Sequence, residues 1–128
     1  MIPEAFLDLV SDSKPVFCYL GTAMADGTPQ VTPVWFNWDG KNFLINTAKG
    51  RTKDRNMRRK PDVALLIADP SNPYRYLQIV GKVVEITEEG ADEHIRALAK
   101  KYTGKDWNGA PGETRVIFRI EPVRIIGH

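Results

Sequence analysis

Apolar and polar positions alternate with a period of two in the strand-like parts of this chain, and two stretches show a helical period instead. Pro3 to Val10 places Phe6, Leu7 and Val10 on one helical face, with Pro3 tolerated in the first turn. Pro15 to Met24 is rich in β-branched and aromatic residues, and Ala25-Asp26-Gly27-Thr28-Pro29 supplies a turn before Gln30 to Trp38 resumes as a strand. Asp39-Gly40 then leads into Lys41 to Thr47, so three strands joined by tight turns predict an antiparallel meander. In the second strand Thr32, Val34 and Phe36 share one face and Val31, Pro33, Trp35 and Asn37 the other. Pro33 removes a ladder donor there, which points to an edge, a bulge, or a stretch of backbone that faces a ligand.

The same reading continues to the end of the chain. Asp62 to Ala68 has the pattern of a buried strand, ended by Asp69-Pro70-Ser71-Asn72-Pro73. Tyr74 to Thr87 is a long alternating strand with Gly81 at a bend or bulge. Ala91 to Thr103 is the clearest helix. Ala91, Ile95, Leu98, Ala99 and Tyr102 share a face, acids open it, Lys100 and Lys101 close it, and Gly104 follows as a cap. A Gly/Pro/Asn loop, Lys105 to Gly112, carries Trp107, and Thr114 to Ile126 is the last strand. Six strands with short connections and few helices predict a mainly β fold, a small six-stranded antiparallel barrel closed in Greek-key fashion, in one domain over residues 1–128.

Charge changes the picture at one place. Lys49 to Lys60 holds Lys49, Arg51, Lys53, Arg55, Arg58, Arg59 and Lys60 against Asp54 alone, so 7 − 1 = +6 in a chain of net charge +2. The remainder is acidic on balance. Such a run is either a solvated helix face or an anion trap. Its position after the strand-like Phe43-Leu44-Ile45-Asn46-Thr47, on a loop that opens a helix, suits an anion such as phosphate, because backbone N–H groups and the helix dipole add to the side-chain charge. Thr47, Arg51, Thr52 and Lys53 supply both a hydroxyl and charged donors within one turn.

Other chemistries find less support. Cys18 is alone inside an apolar run and reads as a core residue. Two histidines are too few for an ordinary zinc site, and Ser11, Ser13 and Ser71 lack a nucleophile-elbow motif. No apolar run approaches the roughly 20 residues of a membrane span, and Met1-Ile2-Pro3-Glu4 does not open a signal peptide, so a cytoplasmic protein is expected. A nucleic-acid-binding module using the basic run with Trp35, Trp38 or Trp107 as stacking platforms is the remote alternative.

Thr32-Pro33-Val34-Trp35-Phe36, Phe43-Leu44-Ile45-Asn46-Thr47, Gly50 to Arg59, Asn72-Pro73-Tyr74-Arg75-Tyr76 and Gly81-Lys82-Val83-Val84-Glu85, in this order, resemble the pyridoxamine 5′-phosphate oxidase-like split-barrel superfamily. The resemblance is nearer to its branch of coenzyme F420 (deazaflavin)-dependent enzymes. It implies a homodimer with two cofactor sites at the subunit interface and hydride transfer between reduced deazaflavin and a small conjugated acceptor, with FMN as the alternative cofactor. It further implies a phosphate held by Thr47, Arg51 and Lys53, supported by Arg55 and Asn56. The ring would rest near Thr32, Pro33, Val34 and Trp35, with Arg75 and Gln78 contributed by the partner subunit. Arg58 and Arg59 would either reach the oligoglutamate tail of F420 or stay solvated. Tyr74, Tyr76 and Tyr102 are the candidate proton donors, and Trp107 either borders the substrate cavity or anchors its own loop.

Overall fold

Seven strands, not six, make up the sheet in the computed structural model, which describes residues 1–109 and 111–128. They are β1 (Cys18–Ala23), β2 (Pro29–Val34), β3 (Phe36–Trp38), β4 (Phe43–Ala48), β5 (Asp62–Asp69), β6 (Asn72–Thr87) and β7 (Arg115–Gly127). The extra strand arises because the single run expected from Gln30 to Trp38 is broken at Trp35. Before the break Val34 pairs with Cys18 on β1, and after it Phe36 pairs with Ile45 on β4. All pairings are antiparallel and the order across the sheet is β2-β1-β5-β6-β7-β4-β3.

That order has a geometric consequence. β2 and β3 are the two edges of the sheet, yet a single residue, Trp35, joins them in the chain. One residue spans only about 3.5 Å, so the sheet must curl until its edges meet, as in a barrel whose seam lies at Trp35. Pro33 sits on edge strand β2, opposite Tyr19 on β1, where a missing N–H costs no ladder bond on the outer side.

Inside the curl, Phe36, Phe43, Ile45, Ile67, Leu77 and Phe118 are fully buried and form one core with Cys18 and Leu20. β6, of 16 residues, bridges β5 and β7 and carries register shifts at Val80/Gly81 and at Val83/Glu85. Gly81 falls at the first of these, as the sequence suggested. A Cβ there would stand 2.6 Å from Ile120 Cγ2, so close approach of β7 requires glycine.

Three helical segments flank the sheet. Glu4–Val10 is a 3₁₀ helix that buries Leu9 and Val10. α1 (Thr52–Arg59) follows β4 through Gly50, whose φ of 95° permits the tight turn. Asp54, the only acid of the basic run, is buried and accepts from the Gly50 N–H at 2.8 Å and from Arg58 Nε at 2.8 Å, which ties down the start of the helix. α2 (Ala91–Thr103) runs as expected from its periodicity, buries Ala91, Ile95, Leu98 and Ala99, and ends on Gly104 in the left-handed conformation. Among the described residues no helix is long and apolar enough to cross a membrane.

Candidate functional site

A cavity of about 190 Å³ opens at the seam where β2 gives way to β3. Pro33, Val34 and Trp35 form one wall, and Asn46 and Thr47 at the end of β4 form the floor. Arg51 and Lys53, at the start of α1, stand opposite with Arg115 at the start of β7. Phe17, Ile95 and Trp107 complete the rim. Seven of the residues singled out in the sequence therefore meet here: Pro33, Val34, Trp35, Thr47, Arg51, Lys53 and Trp107.

The aromatic wall is held from behind. Trp35 stacks on Tyr102 of α2, with ring centroids 5.3 Å apart, and meets Trp107 edge-on at 6.0 Å. Tyr102 donates to Val16 O at 2.6 Å and accepts from the Phe36 N–H at 3.2 Å. Burial pushes its phenol up, beyond the ordinary tyrosine range, and its hydroxyl is taken up by these backbone partners. Tyr74 is exposed and Tyr76 stacks on His128; neither lines the cavity.

The opposite wall is cationic. Glu113 Oε1 accepts from Arg51 Nη2 at 3.1 Å and from Arg115 Nη1 at 3.0 Å, so one carboxylate serves two guanidiniums. Lys53 has no carboxylate or hydrogen-bond partner among the described residues. It is half-buried, and desolvation together with the neighbouring Arg51 and Arg115 charges lowers its pKa. Three cations thus face the cavity against one acid. Between them the Thr47 hydroxyl is buried without a hydrogen-bond partner among the described residues. An orphaned buried hydroxyl costs about 1–3 kcal/mol unless something else satisfies it, and an oxyanion supplies what it lacks. A phosphate therefore fits the residues present.

The remaining sequence candidates lie outside the cavity wall. The Thr32 hydroxyl, one residue away on β2, is buried and has no hydrogen-bond partner among the described residues. Thr52 is the first residue of α1. Arg55 donates to the Gly50 carbonyl and braces the turn, whereas Asn56 donates to Thr22 Oγ1 at 3.1 Å and ties α1 to β1. Arg58 pairs with Asp54, and Arg59 Nη1 donates to Ala23 O at 3.3 Å. Arg75 is held by Asp8 at 2.6 Å and Asp69 at 3.0 Å within its own chain, far from a free role at this cavity. Gln78 lines a separate groove on the outer face of β1, β5 and β6, together with Tyr19, Val31 and Leu66.

Two polar lining residues escaped the sequence reading, Asn46 and Arg115. Arg115 is 6% exposed and opens the apolar run Val116-Ile117-Phe118. A buried arginine heading a core strand is a signal in itself, but its closeness to Thr47 depends on β4 pairing with β7, which places Ala48 opposite Arg115. Trp107 covers the Arg115 guanidinium, 5.0 Å from its ring centroid, so it borders the cavity.

A sheet curled until its edges meet, with a cationic cavity and an aromatic wall at the seam, defines a split-barrel protein. The chain belongs to the pyridoxamine 5′-phosphate oxidase family, whose family model matches residues 2–128. Among solved structures, one named F420 reductase is 33% identical, covers 98% of this chain and 98% of its own, and has a TM-score of 0.86. A conserved hypothetical protein from Mycobacterium tuberculosis is 25% identical over 99% of this chain and 84% of its own, with a TM-score of 0.76. HupZ of Group A Streptococcus is also 25% identical, over 99% and 94%, with a TM-score of 0.70.

Proposed function

We propose that the cavity at the seam binds a flavin-type redox cofactor, coenzyme F420, and that the protein is a two-electron oxidoreductase acting on a small conjugated organic acceptor. The observation that carries this reading is that Arg51, Lys53 and Arg115 line one cavity with Trp35 and with Thr47, whose buried hydroxyl has no hydrogen-bond partner among the described residues. The 33% identity to a structure named F420 reductase favours the deazaflavin.

The cofactor when bound supplies the hydride chemistry, so the protein need only bind, orient and exclude water. Arg51 and Lys53 neutralise the phosphate, and the Thr47 hydroxyl donates one hydrogen bond that fixes its orientation. Trp35, pinned by Tyr102, offers a flat face at the mouth of the cavity, and Pro33 and Val34 continue the same wall as an apolar surface for a ring. Ile95 and Trp107 close the rim against water.

FMN is the second reading, because the same cation set and hydroxyl suit its phosphate equally. A nucleic-acid role fits less well. Five cations of the basic run are engaged within the chain: Lys49 by Glu88, Arg51 by Glu113, Arg55 by Gly50, Arg58 by Asp54 and Arg59 by Ala23. That arrangement builds a turn rather than an open stripe along a backbone.

We extend the reading to one domain over residues 1–128 that works as a homodimer. Tyr19, Val31, Leu66 and Val80 are exposed on neighbouring strands of one sheet, and an apolar surface of that kind suits a second copy. Titrating the purified protein with F420 and, separately, with FMN tests the cofactor assignment. Tighter binding of F420 is expected; uptake of FMN with none of F420 transfers the site to the second reading, and uptake of neither overturns both.

A further inference from the structure

Arg115 is the most buried cation of the cavity, and a chain of fully assigned hydrogen bonds stands behind it. Its Nε donates to Asn46 Oδ1 at 2.9 Å. Asn46 can present oxygen to Arg115 only if its amide nitrogen points the other way, and two acceptors hold it there: Ala91 O at 2.8 Å and His94 Nδ1 at 3.1 Å. A carbonyl accepts and never donates, which fixes the amide orientation without ambiguity. The amide proton delivered to His94 Nδ1 leaves the imidazole proton on Nε2, which donates to Asn37 Oδ1 at 2.7 Å.

Every proton shared between neighbours in the series Asn37, His94, Asn46, Arg115 therefore has one place. The series crosses from β3 through α2 and β4 to β7, and it ends at the cavity. His94 and Asn37 line a separate cavity beside α2 and not this one, so the contacts of His94 to Asn46 and Asn37 do not arise from ligand binding at the seam. We propose that His94 and Asn46 are positioning residues that lock the Arg115 guanidinium into the cavity wall, making Arg115 the third arm of the anion site.

The alternative for a long side chain is a swinging arm, paired with Glu113 and free to follow it. The buried Nε contact argues against that. With Nε committed to Asn46 and Nη1 to Glu113, the guanidinium plane is fixed on two of its edges and covered by Trp107 on its face. Neutral His94 is also the only form that can accept from Asn46, and its burial and the nearby Arg119 charge favour that form.

The part concerning anion binding rests on the cofactor reading above; the locking of Arg115 does not. The test is side-chain NMR of the ¹⁵N-labelled full chain without ligand, with the Arg115 Nε–H signal identified by its loss in Arg115→Lys. In the wild type this proton should exchange slowly with solvent. In His94→Phe, exchange should accelerate at least about tenfold while the chain stays folded, and the dissociation constant for F420 or FMN should rise roughly fivefold to tenfold. His94→Asn, whose amide oxygen can take the place of Nδ1 as acceptor, should restore most of the protection.

Protection of Arg115 Nε–H in His94→Phe equal to the wild type overturns the proposal, as does equal loss in His94→Phe and His94→Asn. The two readings separate cleanly. A locked Arg115 in a protein that binds neither cofactor refutes the cofactor reading alone, whereas normal cofactor binding with Arg115 indifferent to His94 refutes the relay alone.

Discussion

The indole of Trp35 and the phenol ring of Tyr102 lie face to face, their centroids 5.3 Å apart and their planes within 9° of parallel. This contact sits where the chain leaves one edge of the sheet and enters the other. The backbone groups released at that crossing are taken up by the last turns of α2: the Phe36 N–H donates to the Tyr102 hydroxyl, and Lys101 Nζ donates to Phe36 O at 3.0 Å. Tyr102→Phe keeps the ring but strips partners from the Phe36 N–H and Val16 O. A loss of about 1–3 kcal/mol in unfolding free energy is expected, measured by chemical denaturation. A variant as stable as the wild type would show that the hydroxyl does not hold the seam.

Lys53 is the cavity cation without a side-chain partner among the described residues, so its removal should separate binding from stability. Lys53→Ala is expected to weaken cofactor binding by roughly 1.5–3 kcal/mol. Its melting temperature should stay level or rise, because desolvation and two nearby arginines already disfavour the charge. Unchanged affinity in both Lys53→Ala and Arg51→Ala would remove this wall from the site.

Glu113 competes with any bound anion, since its Oε1 occupies donors of both Arg51 and Arg115. Glu113→Gln lowers that competition and raises the local positive potential. Tighter binding of the phosphate-bearing cofactor, by roughly threefold to tenfold, is expected in a calorimetric titration at low salt. Weaker binding would instead assign Glu113 the role of holding the two guanidiniums in place.

His94 should leave a signature in the pH dependence of stability. Burial and the Arg119 charge depress its pKa to about 4 from the ordinary 6.5. The unfolded chain then binds the proton more readily, so between those values stability falls as pH falls. The loss is on the order of 2 kcal/mol once partial solvent contact is allowed for. Asp8, shifted downward by the Arg75 guanidinium, Asp39, by backbone N–H groups and Arg119, and Asp69, by the Ser71 hydroxyl and N–H, lose their contribution as pH falls from the ordinary carboxylate range downward. Denaturation curves collected from pH 7 to pH 4 should therefore slope in the wild type and flatten in that window in His94→Phe.

Gly81→Ala should destabilise the fold without touching the cavity. The new methyl meets Ile120 Cγ2, a buried β-branched side chain with little freedom to move. A cost of about 1–3 kcal/mol is expected from thermal or urea unfolding, with cofactor affinity preserved in the folded fraction.

Much of this could be read from residue order. α2 was visible because a 3.6-residue period, acids at one end, lysines at the other and a terminal glycine all agree on its limits. The strands were visible from alternation, and the turn at Gly50 with the cations beyond it from local composition. Thr47, Arg51 and Lys53 could be nominated together because they lie within a few residues on one strand, turn and helix, so a local motif was enough to bring them to one place.

What needed the tertiary structure was every relationship between distant segments. The break at Trp35 is invisible in a sequence that alternates straight through it, because only strand pairing decides that Val34 belongs with β1 and Phe36 with β4. Arg115 looks like a charge at the head of a core strand until β7 pairs with β4 and carries it to Thr47, 68 residues away in the chain. His94 reads as one more polar residue of a helix until that helix lies across β4 and meets Asn46. Local periodicity is set by each segment's own backbone geometry, and the sequence determines it directly. The seam, the cavity and its third cation come from long-range pairing, which depends on the packing of the whole chain.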